Sequence, residues 1–155
     1  MAKERRGPKI EPQVLFYPVM DANFDTASYK QFADGLWLTW AAMQWYWDAY
    51  LPDPARRGEI TATPLNASID QLRDLPEALV IVGENDVLRD EGEAYAGKLS
   101  DAGIHCESRR WPQSANNEWS TPQPDGQSPA PQPITLCDAL PATHRPASGC
   151  LPSVP

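Results

Sequence analysis

Positive charge and histidine are both scarce in this chain. Lys and Arg number 13 against 21 Asp and Glu, giving a net charge of −8, and no basic stripe runs along the 155 residues. Surfaces that track phosphate need clustered positive charge, so nucleic acid is not an expected partner. Long apolar runs are missing too: no segment approaches the roughly 20 apolar residues of a membrane span. The start, Met1-Ala2-Lys3-Glu4-Arg5-Arg6, has no apolar stretch behind it to act as a secretory signal. Cysteine is limited to Cys106, Cys137 and Cys150, an odd set without metal-ligand spacing. Such a set reads as unpaired thiols in a reducing cytoplasm. Asn66-Ala67-Ser68 spells a glycosylation acceptor, but without a secretory signal the match carries no weight.

Proline, by contrast, is plentiful and uneven. Residues 111–155 hold ten of the 17 prolines and only four charged side chains, Glu118, Asp125, Asp138 and Arg145. A stretch with so few apolar runs cannot bury enough surface to offset its ordering entropy. The expected division is therefore a working domain over residues 1–110 and a disordered proline-rich tail over 111–155. A domain of about 110 residues lies at the smaller end of what folds independently.

Within the first part, Val14-Leu15-Phe16-Tyr17-Pro18-Val19 is continuously apolar, as strands buried on both faces are. Pro18 fits near its end, where a ladder donor can be spared. Asp21 to Lys30 is polar and reads as a loop. From about Leu38 to Tyr50 the pattern is helical. Thr39 is a plausible N-cap, and Trp40, Met43 and Trp47 form an apolar stripe that Trp37 and Trp45 widen. The stripe reads as core packing, with a binding surface as the alternative. Pro52 and Pro54 end the helix. Asp53 to Pro76 reads as loop with short helical turns. Ala78-Leu79-Val80-Ile81-Val82-Gly83 is a second buried strand, breaking into the polar loop Glu84-Asn85-Asp86. The next helix has Asp90 as cap with Glu93 completing a capping box, Tyr95, Leu99 and Ala102 on one face, and Gly103 as its left-handed stop. Ile104 to Ser108 alternates and suits a last strand nearer a sheet edge. Right-handed crossovers then predict a parallel three-stranded sheet with flanking helices, half of a doubly wound arrangement. Residues 1–9, with Lys3-Glu4-Arg5-Arg6-Gly7, look like the charged end of a helix.

Several of these segments match a known family in order. Gln13 to Val19, Ser28-Tyr29, Trp47-Asp48-Ala49-Tyr50-Leu51-Pro52-Asp53 and Thr63-Pro64-Leu65 do so, and most specifically the block Asp86-Val87-Leu88-Arg89-Asp90-Glu91-Gly92-Glu93-Ala94-Tyr95-Ala96. Over about residues 1–110 the chain resembles the hormone-sensitive-lipase-like family of α/β-hydrolases. The resemblance implies the C-terminal portion of an α/β-hydrolase fold. It also implies hydrolysis of small-molecule carboxylic esters by a Ser-Asp-His triad, with no metal or organic cofactor. A serine hydroxyl attacks only once a histidine takes its proton, and a carboxylate must orient that histidine and stabilise its charged form. By the resemblance, the catalytic acid is Asp86.

The departures are as informative. Neither the family's His-Gly-Gly-Gly oxyanion motif nor its Gly-Asp-Ser-Ala-Gly elbow occurs, and no Gly-x-Ser-x-Gly exists anywhere in the sequence. The family's histidine should follow the acid by about thirty residues. There this sequence reads Ser114-Ala115-Asn116-Asn117-Glu118. His105 falls in the last strand pattern and His144 in the tail, so neither is placed to be the base. Cys106 beside His105 is no dyad, because neighbours on a strand point to opposite faces. The expectation is a truncated esterase, inactive alone, with its start lost and a frameshifted tail. The alternative is a non-catalytic binding or oligomerisation module, self-associating through the open edge of the first strand and the Trp-rich helix. A third reading has a separate polypeptide supplying the serine half.

Overall fold

The computed structural model of the chain describes residues 7–8, 10–34 and 38–112. In order, these form β1 (Gln13–Phe16), α1 (Ala27–Gln31), α2 (Trp40–Tyr50), single helical turns at Pro54–Arg56 and Pro64–Asn66, α3 (Ile69–Leu72), β2 (Ala78–Gly83), α4 (Arg89–Asp101) and β3 (Cys106–Trp111). The strands make one parallel sheet in the order β1-β2-β3. Gln13 lies opposite Ala78, and Ala78 opposite Cys106. The central strand β2 is buried along its whole length, which is why its sequence is an unbroken apolar run.

The edges explain where sequence and structure part. β1 stops at Phe16 rather than Val19, because Tyr17 turns to φ 47° and Pro18 has no N–H to donate. β3 runs from Cys106 to Trp111 rather than over 104–108, and it is the less buried edge strand that the alternation predicts. Ile104 instead finishes α4. Its N–H donates to Leu99 O at 3.0 Å while Gly103, at φ +80°, donates to Ser100 O at 2.9 Å, the paired bonds of a Schellman stop.

The helices hold three more corrections. Residues expected as loop contain α1, capped by Thr26, whose Oγ1 accepts from Tyr29 N at 3.3 Å. Five residues are too few to show a helical period. In α2, Thr39 caps as expected, accepting from Ala42 N at 3.1 Å, and Met43 and Trp47 are buried. Trp40 and Trp45, however, keep 39% and 65% of their surface exposed, so the core stripe is narrower than predicted. At α4 the cap position falls on Leu88, not Asp90, and Glu93 pairs with Arg110 at 2.8 Å instead of closing a capping box. Trp37, Cys137, Cys150, His144, residues 114–118 and the expected helix end at residues 1–6 lie outside the described residues.

Helix α4 lies on β2 through Gly92 and Ala96 against Val80 and Val82, and through Tyr95 and Leu99 in the cluster that holds Ala78. A Cβ added at Gly92 would stand 2.6 Å from Val82 Cγ1, inside a strand residue that is itself 1% exposed. Gly92→Ala gains about 1 kcal/mol of helix propensity but must displace a buried β-branched side chain. The expected result is a net loss of roughly 1–3 kcal/mol, read as a lower urea midpoint. A midpoint equal to or above the parent's would show that α4 does not seat this closely.

Candidate active site

Asp86 sits in the short turn between β2 and α4, at the carboxyl end of the central strand. In parallel α/β sheets this is the end at which ligands and chemistry are found. Glu84 N, where the strand ends, donates to Trp111 O at 2.8 Å. The Asp86 side chain then folds forward: its Oδ1 accepts from Leu88 N at 3.0 Å, and its backbone carbonyl accepts from Arg89 N at 3.2 Å. The carboxyl thus rests near the positive end of the helix. Burial raises the Asp86 carboxyl above the usual carboxylate range, and the Leu88 amide partly opposes the rise. A half-buried carboxylate held by one oxygen is suited to orient an imidazole and stabilise its cation.

The residues around it are ordered by charge. Arg89 places Nε 2.9 Å from Asp90 Oδ1, donates Nη1 to Glu84 O at 3.0 Å and lies over the Phe32 ring. Desolvation pushes Asp90 up, but the Ser28 amide and Arg89 outweigh it and hold the carboxyl below its ordinary value. Glu91 is 1% exposed and accepts from Met20 N at 2.7 Å, tying the loop after β1 to α4. Burial drives its carboxyl up to about 8 against the pull of the Met20 and Asp21 amides, with Asp21 and Asp86 adding to the rise. Tyr29 is fully buried, and its hydroxyl is raised by burial and then by Glu91, Asp86 and Asp21.

Glu91, a carboxylate in an otherwise acidic stretch, belongs to the buried face of α4. The signal was its spacing, since Leu88, Glu91, Tyr95 and Leu99 recur every three or four residues. His105 is exposed just before β3, where its carbonyl accepts from Ala78 N at 3.0 Å. Asp86 lies beyond the other end of the strands, roughly 17 Å or more away at about 3.3 Å per residue. The two cannot meet. Cys106 is half-buried, and burial raises its thiol, which is the inert condition rather than the reactive one. Among the described residues, no group of three His, Cys, Asp or Glu side chains could hold a metal ion, and no helix is long and apolar enough to cross a membrane.

The Glu91 environment sets a pH dependence. Its folded value lies above the 4.5 of a free glutamate, so the unfolded chain ionises first as pH rises. The stability is therefore full below about pH 4.5 and is lost towards pH 8, by at most about 1.4 kcal/mol per pH unit. Glu91→Gln takes this proton out of the balance. Its urea midpoint should fall much less between about pH 5 and pH 8 than the parent's; parallel curves would mean that Glu91 is already ionised in the fold.

Comparison with known proteins identifies the fold. A model of the α/β hydrolase fold matches residues 1–117. The vegetative-specific protein of Dictyostelium discoideum is 47% identical over 96 residues, 62% of this chain and 28% of that protein. The ethyl acetate hydrolase of Pseudomonas putida is 32% identical over 102 residues, 66% of this chain and 31% of the relative. The crystal structure of a thermostable esterase from Pseudomonas putida superposes with a TM-score of 0.70 at 55% identity, covering 71% of this chain and 34% of that one. The chain thus spans about a third of the length of the relatives it matches. With its parallel sheet and these matches, the chain belongs to the α/β hydrolase fold family, in the hormone-sensitive-lipase-like branch.

Proposed function

We propose that this chain carries the acid of a Ser-Asp-His carboxylic-ester hydrolase, Asp86, and hydrolyses no ester by itself. The observation that carries the reading is the position of Asp86 at the carboxyl end of the central strand, its carboxyl half-buried and held by the Leu88 amide. In the reaction Asp86 orients the histidine and stabilises the imidazolium that forms when the serine proton is taken. The serine, the oxyanion donors and the histidine must come from segments joined to this one or supplied by another chain, since no Gly-x-Ser-x-Gly occurs in these residues. A relative named for ethyl acetate hydrolysis supports a small ester of short acyl chain as substrate. The odd, unspaced cysteines support a cytoplasmic setting.

A chimera tests this. Residues 7–112 of this chain replace the matching third of the Pseudomonas putida esterase, which then supplies serine and histidine. The chimera should hydrolyse p-nitrophenyl acetate, the isolated chain should not, and Asp86→Asn in the chimera should lower kcat by about 10⁴. A folded chimera whose rate is indifferent to Asp86→Asn would remove Asp86 from the acid role.

A second reading, a non-catalytic self-associating module, draws on β1. Among the described residues its outer edge pairs with no strand. Phe16 and Val19 beside it are exposed, as are Trp45, Tyr46 and Tyr50 of α2. Unpaired strand edges recruit a second chain. Under this reading the chain sediments as a discrete dimer and Phe16→Lys converts it to monomer. A parent chain that is already monomeric at high micromolar concentration contradicts it.

A further inference from the structure

We infer that Ser28, from the α1 segment, is a positioning residue that locks the Asp86 turn by capping α4 from outside that helix. The inference rests on the acid role proposed for Asp86, but it concerns what holds the turn.

Helix α4 begins without a side-chain cap of its own: Leu88 occupies the cap position and offers no side-chain acceptor. The first N–H groups of any helix need partners from elsewhere. Ser28 provides one. Its Oγ accepts from Asp90 N at 3.3 Å, and its hydroxyl donates to Val87 O at 2.6 Å. A serine has one hydroxyl proton, and here the Val87 carbonyl takes it. In the 3.1 Å contact between Thr26 Oγ1 and Ser28 Oγ, Thr26 is therefore the donor. The Ser28 backbone completes the clamp, its N–H donating to Asp90 Oδ2 at 2.7 Å.

Ser28 thus grips Val87 and Asp90, the residues on either side of Leu88 and Arg89. Those two are the residues whose N–H groups bond to Asp86, one to its carboxylate and one to its carbonyl. Loosening Val87 and Asp90 frees the donors that aim the acid. The clamp joins residues 59 and 62 positions apart, and Ser28 is 0% exposed. Neither the Val87 carbonyl nor the Asp90 amide then has ready access to water once the hydroxyl is removed. Ser28 also lies directly before Tyr29, whose ring fills the core beside Val87 and Leu88. The hydroxyl has a distinct task from that ring: the ring packs the turn, and the hydroxyl fixes its backbone.

Ser28→Ala in the full chain tests the inference, with the Asp86 carboxyl carbon followed by NMR titration and amide exchange read at Leu88, Arg89 and Val80. The expected result is a fall of the Asp86 midpoint towards the ordinary aspartate value, because the opened turn loses the burial that raises it. Exchange at Leu88 and Arg89 should quicken at least tenfold while Val80 in β2 is unchanged. A folded Ser28→Ala chain with the parent's Asp86 midpoint and Leu88 exchange overturns the inference. Should the variant not fold, exchange in the parent decides. The Ser28, Leu88 and Asp90 amides should then open together, with one rate and one denaturant dependence, whereas Leu88 and Asp90 exchanging tenfold faster than Ser28 overturns it. These readouts concern the turn itself, so they succeed or fail independently of the chimera that tests Asp86 as the acid.

Discussion

Helix α4 lies against β2 as it does only because Gly92 has no Cβ; an added one would stand 2.6 Å from Val82 Cγ1. That close approach sets the height of the helix over the sheet, and with it the length of the turn that joins them. Asp86 is in that turn, so its depth below the surface and its bond to the Leu88 amide follow from how α4 seats. The same seating buries Glu91, whose side chain reaches Met20 N at 2.7 Å. Met20 in turn accepts from Leu65 N at 3.0 Å, and Lys98 of α4 donates to Leu65 O at 2.7 Å. The loop after β1, the turn at Pro64–Asn66 and the helix are therefore tied in a closed circuit of bonds.

The acid turn is held by polar groups taken out of water, which makes each of them consequential. A buried polar atom stabilises only if its partners are present, and loss of one partner leaves the other without solvent to replace it. Asp90 stays anionic because Arg89 and the Ser28 amide face it, while Glu91, facing no cation and close to Asp21 and Asp86, is driven towards its neutral form. Adjacent carboxylates in one helical turn are thus shifted in opposite directions by environment. Asp86 lies between them in character, raised by burial and restrained by a single amide.

The aromatic residues of α2 divide along the same line between support and surface. Met43 and Trp47 pack with Tyr29, Val87 and Leu88 beneath the turn. Trp45, Tyr46 and Tyr50 face outwards, and so does Phe16 at the end of β1. Among the described residues, the outer edge of β1 pairs with no strand, and Trp45, Tyr46 and Tyr50 lie on the solvent side of α2.

Much of the fold was legible in the order of residues. The unbroken run Ala78 to Gly83 read as a strand covered on both faces, and Gly103 marked the end of α4, since only a residue free of Cβ strain takes φ +80° readily. The block beginning at Asp86 pointed to the family through its likeness, and the family is what the matches bear out. What the sequence could not reveal were choices made across the fold. Asp90 has the chemistry of an N-cap, yet it serves Ser28 and Arg89, and the cap of α4 comes from 62 positions away. α1 is capped locally by Thr26 and tied to that distant turn through Ser28, a link that five residues of sequence do not signal. Glu91 reads as a solvated charge by composition and is buried by position. Local pattern determined which segments became strands and helices, because periodicity and backbone chemistry act over a few residues. Tertiary structure alone decided which polar groups lost water, because a hydrogen-bond partner far along the chain has no signature in the segment it completes.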